Sequence, residues 1–560
     1  MLHGKVMGDL CLGAFLVGTE RSLDGSNAVD QIRTPRLKTR PELIQDLVQR
    51  RIRHATECFT TVSSRPTPGR VLPKLSSGRL RRLPEIQRQT MKYTSIIATV
   101  GPASSDIETL CAMIRAGANC FRLNFSHGDA ESMAPLLATV REAARLEQQP
   151  IAVLADIQGP KLRVGQLPDA GVWLSDGQPF ALVADEVLGD ESRVHASYGN
   201  LASDLEPGAT VLLADGSIEL VVERIDGRNV HCRVVSGGRL HSRKGLNLPG
   251  RSLSIATLTD KDLRDLAYVS TTDIDIVAVS FVRKADDLHR AREALKSPRR
   301  PLIAKLERPE ALENLEEILE ASDGVMVARG DLGVELSFER VPIVQKQILR
   351  QAVAHGCPAV VATQMLGSMV YAKRPSRAEA SDVVNAVLDG ADAVMLSEET
   401  ATGDHPVEAV QAMATLCISG EAYEREGHRP RVDENNQSFA AGAASAAVSA
   451  AAQVGARAII TLAGSRASAL LVSKCRPPIP IIAMASSEST LRLLNLLRGT
   501  WPVAVPKDSD VETQLEEADR YLLSRGWARA GEVVVMVAAI PLGAGRETNT
   551  IRFHRVRASR

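Results

Sequence analysis

The chain has no excess of charge of either sign: Lys plus Arg and Asp plus Glu both number 67 in 560 residues. Neutrality removes the electrostatic reason to expect nucleic acid or an anionic membrane as a partner. No apolar run reaches the roughly 18 residues that span a bilayer, so no transmembrane helix is expected. Cysteine pairs of the metal-finger or redox kind are also missing. Cys11, Cys58, Cys111, Cys120, Cys232, Cys357, Cys417 and Cys475 are scattered, with no CxxC among them. That pattern favours reduced thiols and a cytoplasmic protein over a disulfide scaffold. The best candidate for a secretory signal, Met7 to Gly18, is interrupted by Asp9 and followed by no small-residue cleavage site. Acidic residues recur through the first 60 positions, unlike a transit peptide.

A chain this long holds about three or four domains at roughly 150 residues each. Residues 1–90 carry about twice as many basic as acidic residues. They read as an extension outside the catalytic machine, partly helical near Pro41 to His54, with Met91 a candidate natural start. From Thr94 a short β-branched run repeatedly precedes a stretch of helical periodicity, the pattern of a parallel sheet covered by helices. The runs are Ser95 to Val100, Cys120 to Phe125, Ile151 to Asp156, Ile274 to Val279, Leu302 to Leu306, Gly324 to Ala328, Ala359 to Thr363 and Ala393 to Leu396. Eight such runs close a TIM (β/α)8 barrel, here expected over 91–163 and 246–417.

The barrel is interrupted over 164–245 by a Val- and Leu-rich segment punctuated by Asp176-Gly177, Asp215-Gly216, Asp226-Gly227 and Gly237-Gly238. Such pairs supply the positive φ of hairpin turns, so the insert reads as an all-β module. It leaves the barrel from a βα loop, the face on which TIM barrels carry their sites, and is placed to act as a lid. Residues 418–560 restart the alternation with an Ala-rich helix, Phe439 to Val454, and strands at Ala458 to Leu462, Ile481 to Met484 and Glu532 to Ala538. They read as a further α/β domain, whose role the alternation does not give.

Chemistry collects at the strand ends. The fifth run ends Ile-Ala-Lys-Leu-Glu, which puts Lys305 and Glu307 on one face by the period-2 rule. Asp331 stands just past the sixth. Two carboxylates from adjacent strand ends can share Mg2+ or Mn2+, leaving positions for substrate oxygens. A lysine beside them can neutralise a transferring phosphoryl group. Three such rim residues alone are equally a salt-bridge cluster. The second run, however, brings Arg122, Asn124 and Ser126 onto one face, with His127 at the rim, and the third brings Asp156, Lys161 and Arg163. So many ionisable groups are costly to bury unless they meet a ligand or each other, which points to a phosphate-rich substrate.

The runs ATVGPAS (98–104), FRLNFSHG (121–128), KGLNLPG (244–250), AKLERPEAL (304–312), DGVMVARGDLGVE (323–335), ATQML (362–366), RPSRAEASDVVNAVLDGADAVMLSEETATGDHP (374–406) and TNTIRFHRV (548–556) resemble, in order, the pyruvate kinase family. The resemblance implies phosphoryl transfer from phosphoenolpyruvate to ADP in glycolysis by a homotetramer. It implies that Glu307 and Asp331 bind the divalent metal, and that Ala328, Arg329 and Gly330 help hold the substrate carboxylate by their backbone groups. Lys305 would stabilise the transferring phosphoryl and the enolate oxygen, and Arg122 would grip the phosphoryl group. His127, Arg163 and Lys244 would face the nucleotide phosphates. Thr363 and Ser397 are candidates for the network that protonates the enolate.

Three departures matter. Side chains matching the family's K+ ligands, Asn124, Ser126 and Asp156, are retained, but Lys161 stands where the K+-dependent members carry glutamate. This resembles the K+-independent subgroup, since an ammonium can supply the charge that the ion otherwise brings. Glu398 beside Ser397 replaces a residue that is often small in the family. In the C-terminal domain the loop with Thr461, Gly464, Ser465, Arg466 and Ser468 lacks one family hydroxyl. It is expected either to cradle a sugar-phosphate or nucleotide effector or merely to cap a helix. A catalytically idle regulatory or binding protein on the same fold, and another phosphoenolpyruvate-using barrel such as an aldolase-type lyase, are the competing readings.

Overall fold

The computed structural model describes residues 91–251, 254–296, 300–425, 438–462, 466–542 and 547–558. The helix expected near Pro41 to His54 lies outside these residues, as do Gly464 and Ser465. The described residues belong to one compact unit.

The first three strands are β1 (Ser95–Thr99), β2 (Cys120–Asn124) and β3 (Ala152–Asp156). The lid follows with β4 (Val172–Leu174), β5 (Pro179–Val183), β6 (Arg193–His195), β7 (Thr210–Leu213), β8 (Ile218–Asp226), β9 (Asn229–Ser236), β10 (Gly238–Leu240) and β11 (Leu246–Asn247). The chain then resumes with β12 (Ile276–Val279), β13 (Leu302–Leu306), β14 (Gly324–Ala328), β15 (Ala359–Ala362) and β16 (Ala393–Leu396). β1, β16, β15, β14, β13, β12, β3 and β2 form a closed barrel in that order. Closure rests on the parallel register Ser95 to Ala393 between β1 and β16.

Period-2 alternation divides each strand between two buried layers. Ile97, Leu154, Ile276, Met326, Val360 and Met395 fill the barrel interior. Their neighbours Ile96, Val153, Val277, Val325, Val361 and Val394 face the helices. With both faces buried, the strands read as continuous apolar runs.

Several expected runs stop short. Phe125 begins a single 3-10 turn, Phe125–His127, and Thr363 leaves the strand with φ of 68°. A β-branched residue in that region cannot continue a strand.

The lid forms a six-stranded sheet in the order β11-β7-β8-β9-β5-β6 and a two-stranded pair β10-β4. Gly177, Asp215, Gly216 and Gly227 adopt the positive φ that their Asp-Gly pairs suggested. Gly237-Gly238 is different, because β10 leaves β9 to pair with β4. A Cβ on Gly237 would lie 2.1 Å from the Leu174 carbonyl oxygen, so glycine serves a close backbone approach there and not a hairpin. The module is not purely β, since Leu201–Asp204 forms one helical turn. Its sheet also runs past the expected limit at 245, through Leu246–Asn247.

The boundary expected between 417 and 418 cuts the helix Pro406–Arg425, which packs on the barrel helices Ile107–Ala116 and Arg377–Asp389. Beyond it stand β17 (Ile459–Thr461), β18 (Ile481–Ala485), β19 (Thr500–Ala504), β20 (Val533–Ala538) and β21 (Thr550–Arg555), in the order β19-β18-β17-β20-β21. The two strands not foreseen are the edges. β19 contains Pro502 and β21 alternates polar with apolar residues, as edge strands tolerate. This domain closes the N-terminal end of the barrel. Leu493 and Leu496 pack into the interior layer, Arg492 pairs with Asp275 ahead of β12 at 2.8 Å, and Lys474 pairs with Asp392 ahead of β16 at 2.7 Å.

Candidate active site

At the opposite end, the strand termini bring together most of the residues singled out from the sequence. Asp156, at the end of β3, is 1% exposed and joins two cations: Arg122 Nε donates to Oδ2 at 2.7 Å, and Lys305 Nζ lies 3.2 Å from Oδ1. Burial works to raise its pKa, but Lys305 and Arg122 together outweigh it and hold the carboxyl below its usual value. Arg122 Nη1 also donates to Thr99 at 3.1 Å. Lys305 Nζ donates to Ser280 Oγ at 2.7 Å and lies 2.9 Å from Glu307 Oε1. Its burial would favour the neutral amine, yet Asp156 and then Glu307 overcome this and raise its pKa, so it stays charged.

The period-2 placement of Lys305 and Glu307 therefore holds, although Glu307 lies one residue beyond β13. Its Oε2 accepts from the backbone N–H of Phe281 at 2.8 Å, where the chain turns with φ of 56°. Oε1 is buried and receives no hydrogen bond, because the Lys305 ammonium sits beside it off the hydrogen-bonding direction. Burial pushes the Glu307 carboxyl up. A buried carboxylate with one oxygen held only by an ion pair is a donor that a hard cation can use. Asp331, in the helix Arg329–Glu335 after β14, adds a second carboxylate. No three His, Cys, Asp or Glu side chains converge as a metal site among the described residues.

Lys161 Nζ donates to Asp331 Oδ1 at 2.9 Å. Four residues on, Glu335 Oε1 accepts from Arg308 at 2.7 Å and Asn247 at 3.3 Å. Both strands of the lid neck thus grip the one short helix that carries Asp331. Arg163 and Lys244 lie in that neck, where Arg163 pairs with Gly245 and Val164 N donates to the Lys244 carbonyl at 2.9 Å. His127 is exposed, and partial burial followed by the charges of Arg163, Arg122 and Lys161 lowers its pKa. The strand alternation that was to align Ser126 with Arg122 ends at Asn124, whose Oδ1 instead accepts from Ser126 N at 3.2 Å to cap the 3-10 turn.

At the next two strand ends, Thr363 Oγ1 accepts from Gly330 N at 2.7 Å and donates to the Ala362 carbonyl at 2.6 Å. Thr363 and Gln364 both have positive φ, at 68° and 53°. Each such residue costs of order 1–3 kcal/mol, which the surroundings must hold in place. Ser397 Oγ is buried and makes no hydrogen bond. Glu398 is exposed, while buried Glu399 accepts from Ser397 N at 2.7 Å. In the C-terminal domain, Thr461 ends β17, and Ser468 is buried with its hydroxyl 2.6 Å from that of Thr548. Arg466 reaches within 3.8 Å of Asp323 in the barrel.

The sequence reading overlooked Ser280, Thr99, Glu335, Arg308 and Asp382. Ser280 directly follows β12, so the strand-end rule that selected its neighbours could have found it. Thr99 ends β1 and was open to the same rule, while the remaining three act on other side chains and leave no local signature.

Two family models match the chain: the pyruvate kinase barrel domain over residues 91–410 and the pyruvate kinase alpha/beta domain over 442–554. Pyruvate kinase 2 of Synechocystis sp. is 43% identical over 474 residues, covering 83% of this chain and 80% of that protein. The pyruvate kinase of Clostridium acetobutylicum is 38% identical over 474 residues, covering 82% and 99%. That of Mycobacterium intracellulare is 39% identical over 467 residues, covering 82% and 98%. With eight parallel strands closed into a barrel, a lid leaving the third βα loop, and charge gathered at the strand ends, the chain belongs to the pyruvate kinase family of phosphotransferases.

Proposed function

We propose that this chain transfers the phosphoryl group of phosphoenolpyruvate to ADP, giving pyruvate and ATP in glycolysis, with Mg2+ or Mn2+ and without K+. The observation that carries this reading is the convergence of Arg122, Lys305, Glu307 and Asp331 at one end of the barrel. Arg122 and Lys305 are two cations fixed by Asp156 before any substrate arrives, so they need not reorganise as charge develops on the phosphoryl and enolate oxygens. Glu307 and Asp331 would hold the divalent cation, which supplies further neutralisation of phosphoryl charge. Backbone groups of Ala328, Arg329 and Gly330 help hold the substrate carboxylate near the cation that Asp331 binds. His127, Arg163 and Lys244, around the neck of the lid, face the nucleotide phosphates. Thr363 and Ser397 serve the network that protonates the enolate. The unengaged Ser397 hydroxyl supports its inclusion.

Independence from K+ is supported by three contacts. Asp156 is already neutralised by Arg122 and Lys305, and the Lys161 ammonium stands at Asp331. A sugar-phosphate or nucleotide effector is the reading for the loop that contains Thr461, Gly464, Ser465, Arg466 and Ser468, with helix capping as its alternative. Assembly as a homotetramer is carried over from the family resemblance. A cytoplasmic location is supported by six free cysteines among the described residues.

The test is a coupled assay of pyruvate from phosphoenolpyruvate and ADP, with and without divalent cation, in K+ and in tetramethylammonium. Turnover should need the divalent cation and be indifferent to the monovalent one. Absence of divalent-dependent turnover refutes the central reading, and a strict K+ requirement refutes the role of Lys161.

A further inference from the structure

We propose that Arg329 and Asp382 are positioning residues that hold the strained Thr363-Gln364 backbone, and so fix the Thr363 hydroxyl in its seat against Gly330, beside Asp331. The Arg329 side chain is spent inside the protein. Its Nε and Nη2 donate to the Thr363 carbonyl at 3.2 and 2.7 Å, and Nη2 also donates to the Gln364 carbonyl at 3.0 Å. Those are the two consecutive residues with positive φ. Nη1 donates to Asp382 Oδ2 at 2.6 Å, from the helix Arg377–Asp389. Only 10% of the Arg329 side chain remains exposed.

The arrangement has the parts of a clamp. A planar guanidinium offers several donors in a fixed fork, so one side chain can fix two carbonyl directions at once. Asp382 takes the remaining edge and sets the rotation of the fork. The strained turn in its grip is the one whose Oγ1 meets Gly330 N, next to the metal-site residue Asp331. Left-handed φ at a β-branched residue persists only when its surroundings over-determine it. Without the clamp the turn relaxes, and Thr363 Oγ1 leaves both Gly330 and its place at the mouth. The Arg329 side chain is thereby assigned to Thr363, while substrate contact at this position belongs to the backbone. The proposal rests on the role given to Thr363 above.

The test is steady-state kinetics on the full chain for D382N, D382A, T363A and the double variant D382A/T363A, with circular dichroism as a folding control. D382N keeps the shape of the side chain and carries the comparison should D382A fail to fold. Because small misplacement of a reacting group is costly, kcat should fall roughly 10- to 100-fold in both Asp382 variants. KM for each substrate should stay within about threefold of the parent. The double variant should be within about twofold of T363A alone, since both changes remove one function. Losses that multiply in the double variant, a loss confined to KM, or a loss that tracks the folded signal would each overturn the clamp. A slow T363A beside a parent-like D382N removes the clamp alone. A T363A with unchanged kcat removes the role of Thr363 and this proposal with it.

Discussion

Asp156→Asn tests whether the cluster is a preorganised set of charges or a group of solvated rim residues. Asp156 is buried and bridges Arg122 Nε at 2.7 Å and Lys305 Nζ at 3.2 Å. With an effective dielectric of about 20 and charge centres about 4 Å apart, each cation attracts it by about 4 kcal/mol, or roughly 8 kcal/mol together before desolvation. Burying the carboxylate takes back several kcal/mol. Neutralising it strands Arg122, while Lys305 keeps Glu307 at 2.9 Å. The net loss is therefore expected near the lower end of the range for a broken buried pair, about 3 kcal/mol. Urea unfolding followed by circular dichroism measures it. Since the chain has several domains, the comparison is made on the transition that also abolishes activity.

The pH dependence gives a second reading. The Asp156 carboxyl is held below its usual value, because Lys305 and Arg122 outweigh the effect of burial. Its stabilisation is therefore fully present above about pH 4 and lost as pH falls through the depressed folded-state pKa. The gap between parent and variant should be flat from about pH 8 to about pH 5 and shrink in stronger acid. A gap below about 0.5 kcal/mol at neutral pH, the scale of an ordinary surface change, would refute the reasoning. So would a gap that widens in acid.

Lys305→Met should lower kcat by roughly 10²- to 10³-fold, the scale for loss of one preorganised charge in an electrostatic site, and steady-state assay against the parent checks it. Glu424→Gln should loosen the C-terminal domain without touching the site. Glu424, on the helix Pro406–Arg425, accepts from Arg476 at 2.8 Å and from Arg498 at 2.5 Å. Both guanidinium groups are buried, so losing their shared partner should cost about 3–5 kcal/mol in chemical unfolding. The KM for phosphoenolpyruvate should not move unless an effector is present.

The barrel was legible because strands buried on both faces must be apolar throughout and so announce themselves as runs. The edge strands β19 and β21 were not, because one carries a proline and the other polar residues that an edge permits. The lid turns were legible at Asp176-Gly177, Asp215-Gly216 and Asp226-Gly227, where residue type sets φ. Gly237-Gly238 was misread, since its glycine answers to the Leu174 carbonyl from another strand. In the site, Lys305, Glu307, Arg122 and Asp156 were visible as charges where apolar runs end. Ser280 shared that position but carried no charge to mark it. The expected domain limit at 417 falls inside the helix Pro406–Arg425, since helix periodicity does not say which neighbour a helix packs on.

By itself the sequence determined the family, the parallel barrel, the inserted β-rich domain and which charged residues stand at the strand ends, since these depend on residue type, order and period. Which carboxylate each cation takes was decided only by the tertiary structure. Lys305 stands between Asp156 and Glu307, Lys161 reaches Asp331 across the neck of the lid, and Arg329 turns inward to Thr363 and Asp382. Lys305 and Glu307 share one strand end, whereas the other partners lie 34 to 170 residues apart and meet only because the strands and the lid neck pack side by side.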